Sequence, residues 1–184
     1  MATAPDTVPT SPYEALAEYE RRSLAHIAGL PEQIEAEGLW RGIGFRVGTR
    51  HMVSSISEVN EILTLPPLTG VPGTQPWMLG VANVRGNLVA VIDLRGHIEG
   101  ERSVLTDTTR VLVVRQQGGS VGLLVDEVLG QRSFSEEQRA QAFGEEDDRY
   151  SRYIGEKVQL GDILWGLFSM SALVRTVEFQ QASI

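Results

Sequence analysis

Short apolar stretches separated by glycine and proline dominate the chain from Trp40 onward, and their hydrophobic pattern predicts β-strands. Residues 43–47 alternate between apolar and other side chains, and a turn at Gly48 leads to a returning strand at 51–55. The pattern predicts further strands at 59–63, 87–95, 110–115, 121–126, 128–134, 154–160 and 162–169. Many short strands with regular turns favour small closed barrels, and their number favours two barrels.

Three other segments of this region do not follow the strand pattern. The pattern predicts one or two helical turns within 76–84 and a closing helix over 171–179, whereas the polar segment 138–150 is predicted to be a long loop. The side chains expected to point inward are Trp77, Met78, Leu79 and Val81 in the first helical segment, and Leu173, Val174, Val177 and Phe179 in the second.

The N-terminal part of the chain differs in composition from the rest. Residues 1–10 are rich in Thr, Pro and Ala, which predicts disorder. Residues 11–14 read Ser-Pro-Tyr-Glu, an N-cap, a first-turn proline and a capping-box glutamate, so a helical extension is predicted over 11–39. This extension either packs on its own domain or docks on a specific partner. The domain follows at 40–179, and 180–184 form a tail.

Composition and charge exclude several classes of protein. The 184 residues, 42% of them hydrophobic, are enough for one domain or two small ones. The net charge of -8 argues against nucleic-acid binding, because phosphate binding needs a basic face. No apolar run approaches the ~20 residues of a membrane helix, and the N-terminus lacks the order of a signal peptide. The absence of cysteine fits a reducing compartment. A cytoplasmic protein without direct membrane insertion is predicted.

Candidate metal and cofactor motifs are weak in this chain. His26, His51 and His97 have no ligand spacing and no cysteine beside them, so no metal site is predicted. The glycines within 42–48 resemble a phosphate-binding loop only loosely, and a hairpin bend explains them better. The acidic run 145–148 lacks the alternating ligands of a calcium loop. No cofactor and no catalytic nucleophile are predicted.

Four carboxylates beside apolar strands are harder to dismiss. Glu58, Glu61, Asp93 and Asp126 are either acids of raised pKa, as a hydrolase would need, or members of structural ion pairs. Ion pairing is favoured because no nucleophile or metal cluster accompanies them. Glu61 is the expected partner of Arg85, and a bidentate contact between the two would hold the third strand against the loop that opens the central strand.

The segment 79–96, LGVANVRGNLVAVIDLRG, carries a family resemblance. Its parts 80–86, GVANVRG, and 89–95, VAVIDLR, resemble the central signature of the CheW-like domains, in which an N-[LV]-R-G turn precedes a V-x-P-V-[IV]-D-L-R strand. The likeness continues through 109–114 and 121–128 and covers about 41–178. Ala90 stands in place of the usual proline, which frees a backbone N–H without altering the expected fold.

The resemblance implies a mainly β fold of two five-stranded SH3-like β-barrels over a shared core, with the N-terminal helical extension and a C-terminal helix. It implies a non-catalytic adaptor that couples the cytoplasmic tip of a methyl-accepting chemoreceptor to the regulatory domain of a CheA-type histidine kinase in a membrane-associated array. The leading arm and the segment 80–86 are most similar to family members of type IV pilus systems, which control twitching motility. The alternatives are a flagellar chemotaxis coupling protein and a carboxylate-using hydrolase on a small-barrel scaffold.

The resemblance also implies a protein-binding site. By match to the family's motif, the receptor-facing groove and its support fall at Val59, Glu61, Gly80, Arg85, Gly86, Asp126 and Gln131. An apolar groove between barrels would accept a helix.

Overall fold

The computed structural model describes residues 11–13, 16–17, 20, 39–116, 118–135, 138–140 and 149–182. The chain divides into two compact units, Met1–Ala36 and Glu37–Ile184, and all elements named below belong to the second unit. The predicted disorder of 1–10, most of the predicted helical extension over 11–39 and the acidic run 145–148 lie outside the described residues.

Short strands make up most of the described chain, with a few short helices. The strands are β1 Leu39–Val47, β2 Arg50–Ser55, β3 Val59–Thr64, β4 Met78–Val84, β5 Asn87–Asp93, β6 Arg110–Gln116, β7 Gly119–Val125, β8 Glu127–Ser135, β9 Arg139–Ala140, β10 Ile154–Leu160 and β11 Ile163–Phe168. The helices are α1 Leu94–Glu99, α2 Met170–Val174 and α3 Val177–Gln180.

The strands form two sheets. The six-stranded sheet has the order β8-β1-β2-β11-β10-β9, and the five-stranded sheet has the order β3-β6-β7-β5-β4. Neighbours are antiparallel except β2 with β11 and β5 with β7, which run parallel. The predicted mainly β architecture with two sheets is confirmed.

The prediction of two closed five-stranded barrels needs correction, because the described sheets are open. One sheet gains a sixth strand, the two-residue β9, which pairs with β10. In the other sheet the N–H and C=O of Val81 on the outer strand β4 bond Thr69 of the preceding loop, at 2.9 Å each. This part of the β4 edge therefore pairs with a loop and not with β3, the other outer strand.

Successive side chains of a strand point to opposite faces of the sheet, so neighbouring residues of one strand enter different cores. On β2, Met52 enters a core shared by both sheets, whereas Val53 enters a smaller core within the six-stranded sheet. On β6, Leu112 enters the shared core and Val111 a small core of the five-stranded sheet. Both sheets are thus apolar on two faces, as expected for strands that read as nearly continuous apolar runs.

Two helix predictions are wrong in detail. Within the segment 76–84, residues 78–84 form strand β4, because they pair with β5 and their side chains differ in burial along the strand. The predicted C-terminal helix over 171–179 is divided in two, because α2 ends at Val174 with Arg175 as its C-cap and the extended Thr176 is the N-cap of α3. Val177, expected inside, is 62% exposed, whereas Phe179 is buried.

The predicted strand 87–95 also ends early. Asp93 terminates β5 and caps helix α1, and its carboxylate accepts from the backbone N–H of Gly96. Strand β1 begins four residues before the predicted start at 43, whereas the ends of the other predicted strands agree with the structure to within about two residues.

Candidate protein-binding site

The β4–β5 hairpin presents the most distinctive side chain of the candidate site at its tip. Val84 pairs with Asn87, so Arg85 and Gly86 form a two-residue turn. Their φ angles are 51° and 85°, and a type I′ turn requires positive φ at both positions. Arg85 alone among the described non-glycine residues has positive φ. Such a conformation costs about 1–2 kcal/mol for an L residue with a side chain.

Arg85 reaches from this turn to strand β3. Its Nη2 donates to Oε1 of Glu61 at 2.6 Å, which confirms the predicted partnership, here through one guanidinium nitrogen. Because β3 and β4 are the outer strands of the five-stranded sheet, the ion pair joins its two edges. The Arg85 side chain is 79% exposed, so solvent screens the pair and its contribution to stability is about 0–1 kcal/mol. The contact orients the guanidinium more than it stabilises the fold.

Gly80 lies where the preceding loop approaches β4 most closely. Its φ is 143°, and a Cβ built on it would lie 2.5 Å from the carbonyl oxygen of Thr69. The register of β4 shifts between Met78 and Gly80, and Thr69 bonds Val81 immediately afterwards. A side chain at position 80 would therefore push the loop away from the β4 edge.

A cleft of about 340 Å³ lies between the five-stranded sheet and the C-terminal helices, and polar and apolar groups share its lining. Its lining comprises Met78, Ala90, Ile92, Val121, Val174 and Phe179, together with Gln116, Gln180 and Ala182. The Phe179 ring stacks on Trp77 at 6.3 Å, and His97 meets these two rings edge-on at 5.3 and 4.7 Å. Burial lowers the pKa of His97.

The other predicted site residues lie in different surroundings. Val59 is half-buried and packs against the shared core. Asp126 joins the two sheets, because it follows β7 and its Oδ2 accepts from the backbone N–H of Gly48 at 2.6 Å. Gln131 is exposed on β8, an outer strand of the six-stranded sheet, opposite Ile43. The contacts thus group Glu61, Arg85 and Gly86, and they tie Asp126 and Gln131 to the other sheet.

Glu58 fastens the chain where it passes from one sheet to the other. It lies between β2 and β3, and its carboxylate accepts from Ser54 Oγ at 2.8 Å and from the Ser171 N–H at 3.0 Å. Met170 N–H donates to it at 3.3 Å. Burial raises the pKa of Glu58, but these hydrogen bonds outweigh burial and hold it below its usual value. The carboxylate therefore caps α2 and fixes the start of β3.

The carboxylate of Asp93 also accepts hydrogen bonds from nearby groups. Asp93 is 1% exposed and accepts from the N–H and Oγ of Ser103 at 2.8 and 2.7 Å. The donors that the structure shows for Asp93 are neutral, so this carboxylate anchors the chain through hydrogen bonds and not through the expected ion pair. Asp93, Asp126 and Glu61 each accept hydrogen bonds from donors in their own surroundings.

Arg95 forms ion pairs with two nearby glutamates. Its Nε donates to Glu99 at 2.8 Å and its Nη2 to Glu101 at 2.6 Å. The hydrogen bond with Glu99 raises the pKa of the Arg95 guanidinium. These pairs arise because Asp93 starts helix α1, which places Arg95 and Glu99 one helical turn apart.

Two further features bear on the classes of site. Within the described ranges, no cluster of three or more histidine, aspartate or glutamate side chains could hold a metal ion. None of the helices in the described part of the chain is long and apolar enough to cross a membrane.

Two sheets on a shared core, with the N-V-R-G turn at a hairpin tip, define the class of protein. The model of the CheW-like domain matches residues 41–178, and the chain belongs to that family. Protein PilI of Pseudomonas aeruginosa is 44% identical over 67% of this chain and 70% of its own length. Chemotaxis protein CheW of Bacillus subtilis is 35% identical over 46% of this chain and 54% of its own.

A solved structure supports the fold. The crystal structure of the scaffolding protein TtCheW from Thermoanaerobacter tengcongensis superposes with a TM-score of 0.65 and covers 76% of this chain and 94% of its own. The sequence identity is 19%, so the likeness concerns the fold alone. The predicted family, with PilI among its similar members, is confirmed.

The sequence reasoning missed two contributors to this site. Asn83 accepts a hydrogen bond from Gly86 within the turn, at 2.8 Å, and Thr69 bonds the β4 edge. An asparagine three residues before a glycine at a hairpin tip was the available signal for the first. Thr69 carries no such signal, because its contact joins residues twelve positions apart in a loop without periodicity.

Proposed function

We propose that the protein is a non-catalytic adaptor that couples the cytoplasmic tip of a methyl-accepting chemoreceptor to the regulatory domain of a CheA-type histidine kinase. It works in the cytoplasm at membrane-associated receptor arrays that control type IV pili and twitching motility. It takes no cofactor or metal ion. The receptor binds at the surface around Glu61, Gly80, Arg85 and Gly86, and that surface extends to Val59, Asp126 and Gln131.

The observation that carries this proposal is the exposed Arg85 guanidinium, held at a hairpin tip by Glu61. The left-handed backbone of Arg85 is strained, and this strain costs more free energy than the exposed ion pair with Glu61 contributes. Such strain is retained where a side chain must be presented in one orientation. The cleft of about 340 Å³ between this sheet and the C-terminal helices, whose lining mixes apolar and polar groups, offers a surface on which an amphipathic helix packs. The likeness to PilI supports the pilus pathway.

The finer architecture belongs to this proposal. The ion pair connects the two edges of the five-stranded sheet, so we regard that sheet as an incompletely closed SH3-like barrel and expect the same of the other sheet by family resemblance. The helical extension over 11–39 selects the pilus partners against those of a flagellar system, as an added element can do without changing the shared fold.

Calorimetric titration with two purified fragments tests the function. A soluble receptor-tip fragment and the regulatory domain of the kinase, both from the same organism, are each expected to bind the full chain. Arg85→Ala is expected to weaken receptor binding, whereas Arg115→Ala, an exposed arginine on β6 of the same sheet, serves as the matched control. Failure of the folded protein to bind either fragment would overturn the proposal.

A charge exchange tests the ion pair itself. Arg85→Glu and Glu61→Arg are each expected to reduce receptor affinity, and the double variant is expected to recover part of it. If the double variant recovers none, the pair is not a simple orienting contact and Arg85 acts through the receptor alone.

The flagellar coupling role is the second candidate, and the similarity to CheW of Bacillus subtilis favours it. Affinities for the pilus-type and flagellar-type kinase domains separate the two roles. Deletion of 1–38 is expected to reduce the preference for the pilus kinase; unchanged affinities for both kinases would rule out selection by the extension.

A further inference from the structure

We propose that Asn83 is a positioning residue for the candidate receptor site: its side-chain carbonyl holds the turn in the conformation that directs Arg85 at Glu61. The expected effect of Asn83 on receptor binding rests on the proposed adaptor function. The positioning itself is a statement about the hairpin and is measurable without a receptor.

The turn needs a restraint because its first central residue is not glycine. Type I′ turns favour Asn-Gly, Asp-Gly or Gly-Gly, since both central residues have positive φ. This hairpin has Arg-Gly instead, with φ values of 51° and 85°. Gly86 adopts its angle freely, whereas Arg85 is strained and would return to negative φ if nothing held the turn.

Asn83 supplies such a restraint from within the hairpin. Its Oδ1 accepts from the N–H of Gly86 at 2.8 Å, which closes a ring of backbone and side-chain atoms around Val84 and Arg85. The bond spans the strained residue and fixes the peptide on its C-terminal side. An asparagine side chain favours this kind of local bond to the backbone two or three residues ahead.

The position of the guanidinium depends on this conformation. The Arg85 side chain leaves the backbone at the hairpin tip and meets Glu61 with one nitrogen at 2.6 Å. A change of sign in φ turns the Cα–Cβ bond to another side of the backbone, so the guanidinium would leave its place over β3. Glu61, which is only 22% exposed, is held by its strand and does not follow.

Three variants of the full chain test the inference. Asn83→Ala removes the acceptor, Asn83→Asp keeps an acceptor oxygen, and Asn87→Ala is the matched control on the other strand of the hairpin. Asn87 is exposed and makes no side-chain hydrogen bond to the described residues.

Two readouts address position without any partner. Amide hydrogen exchange at Gly86 is expected to speed up about fivefold in Asn83→Ala, the factor for one ordinary hydrogen bond, and to stay unchanged in the control. NMR contacts between the Arg85 and Glu61 side chains are expected to weaken in Asn83→Ala and to persist in Asn83→Asp. If these contacts are the same in all variants, Asn83 does not position Arg85.

Receptor binding then tests the consequence. Asn83→Ala is expected to lower the affinity for the receptor-tip fragment about fivefold, and Asn83→Asp to restore most of it. In an Arg85→Ala background, Asn83→Ala should lower the affinity no further. A general loss of stability would instead lower the affinity in that background too. Additive losses in the two backgrounds would overturn the inference. If the natural chain binds no receptor fragment, the adaptor function fails, and the NMR result still decides the positioning.

Discussion

Gly80→Ala is the sharpest test of how the candidate site is built. The added methyl group would lie 2.5 Å from the Thr69 carbonyl oxygen, a separation that real Cβ atoms do not show. Since that oxygen belongs to the backbone, the loop must move as a whole. Both hydrogen bonds between Thr69 and Val81 are then lost.

The magnitude follows from two contributions. An alanine at positive φ costs about 1 kcal/mol after the smaller entropy of its unfolded chain is counted. Loss of two backbone hydrogen bonds adds about 2 kcal/mol. The free energy of unfolding is therefore expected to fall by about 3 kcal/mol for Gly80→Ala. For Gly86→Ala only the cost of the positive φ is expected, because φ is 85° and no atom lies within 4 Å of the added Cβ.

Urea denaturation of three variants separates these contributions. Gly155→Ala, with open space at its Cβ and no positive φ, is the neutral reference. The expected order of stability is Gly155→Ala, then Gly86→Ala, then Gly80→Ala. Faster amide exchange at Thr69 and Val81 in Gly80→Ala alone would locate the damage. Equal losses in Gly80→Ala and Gly86→Ala would refute the close approach of the loop as the reason for glycine at position 80.

Three further changes have expected outcomes. Glu58→Ala removes the carboxylate that accepts from the first two N–H groups of α2, and it is expected to cost about 2 kcal/mol in urea denaturation at neutral pH. A loss of less than half of that would contradict the role of the carboxylate. The pKa of His97 is lowered in the folded chain, so the unfolded chain takes up a proton first as the pH falls below about 6.5. The natural chain should therefore lose stability relative to His97→Phe between pH 7 and 5.5. A stability difference between the two proteins that is constant with pH would contradict this. Tyr150→Phe deletes a 3.0 Å hydrogen bond to Glu99 and is expected to cost about 1 kcal/mol by calorimetry, and a gain in stability would be the contrary result.

The local pattern predicted strands well where period and turn agreed. The β1–β2 hairpin was predicted because side chains alternate on both sides of Gly48, and a tight turn there lets the chain reverse into the second strand. The segment 76–84 was misassigned because a proline followed by a short apolar run fits a helix start as well as a strand. Pairing with β5 decided between them, and such pairing is absent from a local window.

The site was predicted only in part for a similar reason. Opposite charges on the third strand and at a turn suggested the Glu61–Arg85 pair, and the structure contains it. The ion pair of Arg95 with Glu99 could not be predicted, because nothing in the pattern indicates helix α1, whose cap at Asp93 places these two residues one turn apart. The roles of all seven predicted site residues in receptor binding stay predictions, and they are Val59, Glu61, Gly80, Arg85, Gly86, Asp126 and Gln131.

The sequence by itself determined most strand positions, the turn residues, the family and one ion pair. These follow from side-chain periodicity, from the backbone preferences of glycine and from charge type, all of which act over a few residues or are carried by a motif. Only the tertiary structure decided the parallel pairings, the Thr69 contact on β4 and the hold of Glu58 on α2. Such contacts join positions far apart in the chain, and they form because strands with apolar faces on both sides must share cores, which no local period specifies.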